Sequence, residues 1–272
     1  MATAFSPIGS PPPAMQFFRS YNYIFENPNG WINLLLCGLC LLSTAFVPVV
    51  GQLVVLGYTI EILQSLMATS GQRYPDFDFN RFSDYLNKSI WPFLVQLVAS
   101  LLLVPIAFLI FPLVVFVPLS IATAAGEDAG PIILIIMIPL IMILSIAIGV
   151  TIFMFLTPLI LRAMLAQDFK AAWDLGWIKS FIRLMYREMI LTGLFLSLSS
   201  IALGLLGIAT CGIGLLFAQA MIFLASTHLN YQQYMIFLAR GGAPVPPKQV
   251  AEPIVPAAGP KMPPPSGGNP FR

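Results

Sequence analysis

The residues of this chain that could do chemistry are few and scattered. Glu61 is a lone carboxylate in the run VGQLVVLGYTIEILQSLMA, residues 50–68. An ionised group at the centre of a bilayer costs roughly 2.5–3.5 kcal/mol on insertion scales, and much less near an edge. Glu61 stands in the C-terminal half of its run, so it reads as an interfacial carboxylate that reaches water or pairs with a cation, Arg162 being one candidate. A part in substrate or proton handling is the competing reading. His228 and Gln232, four apart in STHLNYQQY, share one helical face. A single histidine among amides is more often a hydrogen-bonding site between helices than a ligand. Gln96 and Gln219, isolated in apolar runs, read the same way, as glue between helices. Glu61, His228 and Gln232 are the candidate binding residues.

Cys37 and Cys40 form a Cys-x-x-Cys inside an apolar run with no second pair. Structural zinc takes four ligands, so these are read as small packing residues, and Cys211 stands alone. The chain has no His-Glu-x-x-His, no Gly-x-Ser-x-Gly, no P-loop and no paired carboxylates in mid-run. The expectation is a protein that is not an enzyme, with no catalytic residues, no metal and no cofactor.

These groups are positioned by a chain of 272 residues that is 58% hydrophobic and only 9% charged. Soluble domains carry about 25% charged residues. This chain cannot cover its surface with ionised groups, so lipid must be part of its solvent. Its first 30 residues lack a basic start followed by an apolar stretch, and the first span is expected to serve as its own uncleaved insertion signal.

The apolar runs, cut at polar stretches and at Pro-Gly breaks, predict six spans at about residues 31–47, 50–69, 91–117, 131–157, 189–208 and 213–232. The first two are short and meet at Pro48 and Gly51, and a re-entrant hairpin over 31–68 is the alternative. Residues 119–130 are expected to be a link. Residues 1–13 and 241–272, rich in Pro, are expected to be unordered around a membrane domain at 14–240. Phe17, Phe18, Tyr21, Ile24 and Phe25 predict a surface helix ended by Asn27-Pro28-Asn29-Gly30, and Asp78 is placed as the N-cap of a second one that carries Phe79, Phe82 and Leu86. The fold class is therefore all-α: a polytopic helical membrane protein of six transmembrane helices plus amphipathic interfacial helices.

The connection 167–188, QDFKAAWDLGWIKSFIRLMYRE, organises the rest. It has Ile178, Phe181, Ile182 and Met185 on one side and Lys179, Arg183 and Arg187 on the other, with a break expected near Gly176. The basic side, interleaved with aromatics, suits contact with anionic lipid headgroups rather than nucleic acid. All thirteen Lys and Arg fall in the N-terminal segment, the two long connections and the tail; the three short turns hold none. By the positive-inside rule both termini and both long connections face the cytoplasm. Asp78-Phe79…Asp84 recurs as Asp168-Phe169…Asp174, 90 residues on. Either the chain holds a parallel repeat, or any helix starting at that face wants an acidic cap and an aromatic neighbour.

FENPNGW (25–31), LGY (56–58), YPDF (74–77), the 168–182 connection and CGIGLLFA…THLNYQ (211–232) resemble a bacterial family of multi-spanning membrane proteins classed only as a domain of unknown function. The resemblance covers about residues 15–240. It implies a helical protein of the bacterial cytoplasmic membrane and supplies no activity or catalytic residue. The reading favoured by the residues is a non-catalytic accessory or scaffold subunit that meets lipid and other membrane proteins. The alternative is a small-solute transporter or channel, suggested by Pro105, Pro112 and Pro139 within spans.

Overall fold

The computed structural model describes residues 14–44, 46–69, 71, 75–210 and 212–246. Residues 1–13 and 247–272 of the Pro-rich ends, with Lys248, Lys261 and Arg272, lie outside the described residues, as do Arg73 and Cys211. What is described is all-helical: α1 (Arg19–Glu26), α2 (Gly30–Ser43), α3 (Val50–Ala68), a 3-10 turn (Phe79–Arg81), α4 (Phe82–Ala124), α5 (Gly126–Ala166), α6 (Phe169–Ala172), α7 (Leu175–Ala209) and α8 (Ile213–Ala239). Four of these helices are long and apolar enough to cross a membrane, namely α3, α4, α5 and α7.

The breaks follow local chemistry. Pro28 has no N–H to donate, and Asn27 accepts from the Asn29 amide (2.8 Å) to turn the chain between α1 and α2. Gly126 and Gly212 adopt left-handed φ (+83° and +87°) at the two tightest turns, a conformation open to glycine at little cost. Asp78 caps the 3-10 turn by accepting from the Asn80 amide (2.9 Å), as expected. Asp168 does the same for α6 through the Ala171 amide (2.7 Å). The break near Gly176 falls at Trp173–Asp174, where Asp174 caps α7 by accepting from the Trp177 amide (3.1 Å).

Three expectations change. The 119–130 link is helix on both sides of one turn at Ala125–Gly126, so α4 and α5 form a single hairpin of 43- and 41-residue arms. At 1.5 Å per residue each arm is about 60 Å long. The stretch after Asp78 is not a separate surface helix, since from Phe82 it runs unbroken through Pro92 into the apolar part of α4. α1 does form, but it buries Ser20, Tyr23 and Ile24, while Phe18 stays exposed. Phe17, Phe18 and Tyr21 instead ring Phe195 of α7, with centroids 5.3–5.8 Å apart.

α2 and α3 form a short antiparallel hairpin. With 14 and 19 residues they are about 21 and 28 Å long, against about 30 Å of hydrocarbon. Gly51 lets α3 approach α2 closely: a Cβ there would lie 1.8 Å from the Cys40 carbonyl oxygen. Cys37 and Cys40 are buried in that seam.

The core lies where the two long connections, α1 and the end of α8 meet. Tyr58, Tyr85, Leu161, Phe181, Met185 and Phe237 are fully buried there, each contributing about 1.5–3 kcal/mol by removal from water. Away from it the helices turn apolar side chains outward, as Leu101, Phe108, Ile135, Ile136 and Ile143 do. In both α4 and α5, no residue of the most apolar 18-residue window is buried by the chain's own helices.

Candidate functional site

Glu61 reaches the core from α3. Glycine at 57, one turn earlier, brings α3 against the α4 backbone: a Cβ there would lie 2.0 Å from the Tyr85 carbonyl oxygen. That approach sets Glu61, 7% exposed, between two cations. Arg81 Nη1 donates to Oε1, and Lys88 Nζ donates to Oε2 at 3.1 Å. The partner of Glu61 is thus this pair, not Arg162. The Arg81 guanidinium also lies 5.9 Å from the centroid of the Tyr85 ring. Tyr85 is buried edge-on against Tyr58, and its hydroxyl accepts from the Asp78 amide (3.2 Å). Burial pushes the Tyr85 phenol up, and the Asp78 amide opposes that. A carboxylate gripped through both oxygens joins α3 to α4.

Arg162 serves the second connection. Its Nε donates to the Ala171 carbonyl (2.6 Å), its Nη2 donates to Asp174 Oδ2 (2.8 Å), and its guanidinium lies 5.1 Å from the Trp177 ring centroid. Sequence reasoning did not find a third clamp. Arg240 at the end of α8 donates through both terminal nitrogens to Glu188 and also to the Leu184 carbonyl (2.6 Å). The Arg240 hydrogen bond holds the Glu188 carboxyl below the usual glutamate range.

His228 and Gln232 do meet, as their spacing predicts. Gln232 Nε2 lies 2.8 Å from His228 Nδ1. An amide NH2 can only donate, so Nδ1 is the acceptor and the ring proton sits on Nε2. The imidazole is 3% exposed and stacks on Tyr23 at 4.4 Å. Gln232 then holds the chain start. Its Oε1 accepts from the Gln16 amide (2.7 Å) and its Nε2 donates to the Gln16 carbonyl (3.2 Å). Tyr23 completes the strap by donating to the Leu224 carbonyl (2.8 Å). This is a docking site for α1. It shares no hydrogen-bond partner with Glu61, so the two candidate groups serve separate joints.

A concavity of about 580 Å³ is lined by neither. It lies between the α1–α2 turn and the start of the 75–81 segment, with Tyr23, Glu26, Asn29, Ser65 and Asp76 on its walls. Asp76 is the hub beside it. Asn27 and Asn33 donate to Oδ1 (2.8 and 3.2 Å) and Asn29 donates to Oδ2 (2.8 Å). Asn33 Oδ1 in turn accepts from the Phe77 amide (3.0 Å). Parts of two stretches singled out by resemblance, the asparagines of FENPNGW and Asp76-Phe77 of YPDF, are therefore joined. Their joint appearance was the only signal for this link, because three amides and one carboxylate over 40 residues apart make no spacing pattern.

Lys179, Arg183 and Arg187 stand on the exposed side of α7, opposite buried Trp177, Phe181, Met185 and Met189. Arg187 Nε donates to the Tyr186 hydroxyl (2.8 Å), and none of the three forms an ion pair among the described residues. No curated protein and no solved structure matches the chain. A family model matches residues 40–212, from the end of α2 to the α7–α8 turn, and the chain belongs to that family, described as a protein of unknown function (DUF4013).

Proposed function

We propose that the chain is an integral protein of a bacterial cytoplasmic membrane that crosses six times, with both termini and both long connections on the cytoplasmic side, and that its work is non-catalytic: an accessory or scaffold subunit of a membrane assembly. The carrying observation is the uncovered α4–α5 hairpin, whose most apolar stretches no part of the same chain buries. Such faces are covered only by lipid or by other membrane helices. The charged groups support a structural role as well, because Glu61, Arg162, Glu188 and Arg240 are all engaged in joints between elements. Lys179, Arg183 and Arg187 are left over, and at the cytoplasmic edge of α7 they meet anionic headgroups.

Extraction in a mild detergent tests this. Retention in the membrane under alkaline carbonate and co-migration with other membrane proteins are expected. Isolation only as a lone monomer would count against the scaffold reading. Cysteine labelling tests the orientation: a probe at Lys179 should react only from the cytoplasmic side, and one at Asp128 only from the opposite side. The second reading, a small-solute transporter or channel, draws on Pro105, Pro112 and Pro139 inside α4 and α5, since each frees a carbonyl that could line a path. Solute-dependent flux in liposomes would favour it.

A further inference from the structure

Gln96 and Gln219 carry the residue type that ties helices together in a membrane, yet neither makes a hydrogen bond to any described residue. Both are exposed. Gln96 shares a shallow groove of about 180 Å³ with exposed Gln52 of α3, exposed Ser100 of α4, and the rings of Phe93 and Phe223. Gln219 lies one turn before Phe223 on the same face of α8. Four polar groups from three helices thus share one side of an otherwise apolar surface. Trp91 marks the interface on α4, so Gln96 and Ser100 lie about 8 and 14 Å beyond it along the helix. This depth rests on the membrane reading above with α2–α3 in its re-entrant form, because Gln52 of the same groove stands two residues from the α2–α3 turn.

We propose that this face of α3, α4 and α8 is where a second copy of the chain docks. Amides facing hydrocarbon without partners are costly, so something with hydrogen-bonding groups covers them. Lipid tails have none. Headgroup esters sit nearer the surface and can only accept, which would leave the amide carbonyls unpaired. A carboxamide both donates and accepts, so a patch built on three of them is complementary to itself about a two-fold axis. Phe93 and Phe223 supply the apolar contact around the amides.

The test uses the full chain in phosphatidylcholine liposomes, with the dimer fraction read by single-molecule photobleaching across protein-to-lipid ratios. Dimers are expected, and the Gln52→Leu/Gln96→Leu variant should dissociate about tenfold more readily, at the scale of hydrogen bonds between membrane helices. Both substitutions lie on an exposed face and should leave folding intact, which an unchanged melting temperature of the monomer in detergent checks. A Ser100→Cys variant should cross-link to its own copy under mild oxidation, and Ser200→Cys on α7 should not. Monomers at every ratio, or dimers indifferent to the leucine pair and uncrosslinked at position 100, overturn the proposal. So does a monomer that loses a different bound membrane protein on the leucine substitutions. Release of the chain by alkaline carbonate would overturn it through the membrane reading itself, a failure distinguishable from a membrane-bound monomer.

Discussion

The two long connections solve one problem with opposite charges. At the first, a carboxylate on the entering helix (Glu61 of α3) is gripped by cations of the departing segment, Arg81 and Lys88. At the second, a cation on the entering helix (Arg162 of α5) is gripped by a carboxylate of the departing one, Asp174. The opening aspartates, Asp78 and Asp168, do the same work in both, each capping a short helical turn. The second aspartates do not. Asp174 caps α7 and binds Arg162, because the chain breaks at Trp173 and a new helix must start there. Asp84 lies inside the first turn of an already running α4, 3.9 Å from Arg81. The likeness is therefore one of helix initiation, and the packing around it is not shared.

Substitutions can break this comparison at its strongest point first. Glu61→Ala should cost about 2 kcal/mol. That is less than the roughly 3–5 kcal/mol of a broken buried pair, because Arg81 is 40% exposed and can turn to water once freed. Arg162→Ala should cost about 1 kcal/mol less, since Asp174 is already half in solvent. Thermal unfolding in detergent would read both, and equal losses would erase the distinction in burial. Asp174→Ala should cost about 1–2 kcal/mol by loss of a cap, while Asp84→Ala stays within about 0.5 kcal/mol. Hydrogen exchange at the Trp177 amide should rise only in the former.

The shared part is sharpened by the opening aspartates. Asp78→Ala and Asp168→Ala should each cost about 1 kcal/mol, and either change to Asn should be nearly neutral, because asparagine caps as well as aspartate. A large loss on Asp168→Asn alone would show that its charge does more than cap. A small effect is expected at the third clamp. The Glu188 carboxyl titrates lower in the folded chain than in the unfolded one, so its contribution is complete above the ordinary glutamate range. It is lost as pH falls from about 4.5 through the lower folded value. The melting temperature should decline there by an amount worth about half a kcal/mol, and Glu188→Gln should flatten that part of the profile.

Much of this was legible in the chain itself. The turn at Asn27–Gly30, the cap at Asp78, the break before α7, the two faces of that helix and the pairing of His228 with Gln232 follow from spacing alone, because each depends on residues within one or two turns. The errors concern reach. The partners of Glu61 come from across a connection, and position along the chain does not say which cation a fold brings near. Helix continuity through Pro92 and through 119–124 was missed because proline and small polar residues argue locally for breaks, whereas long apolar neighbours carry the helix on. The Asp76 hub was missed for want of any local pattern.

Residues 242–246 belong by composition to the Pro-rich tail, but they are held. The Trp177 indole donates to the Ala243 carbonyl (2.8 Å), the Val245 amide donates to the Tyr234 hydroxyl (2.9 Å), and Val245 is buried. The tail therefore leaves from a moored point beside the basic helix rather than from the loose end of α8. A chain cut after Pro246 keeps that mooring intact, whereas a chain cut after Arg240 strips the lid from Trp177 and should loosen the start of α7 along with it.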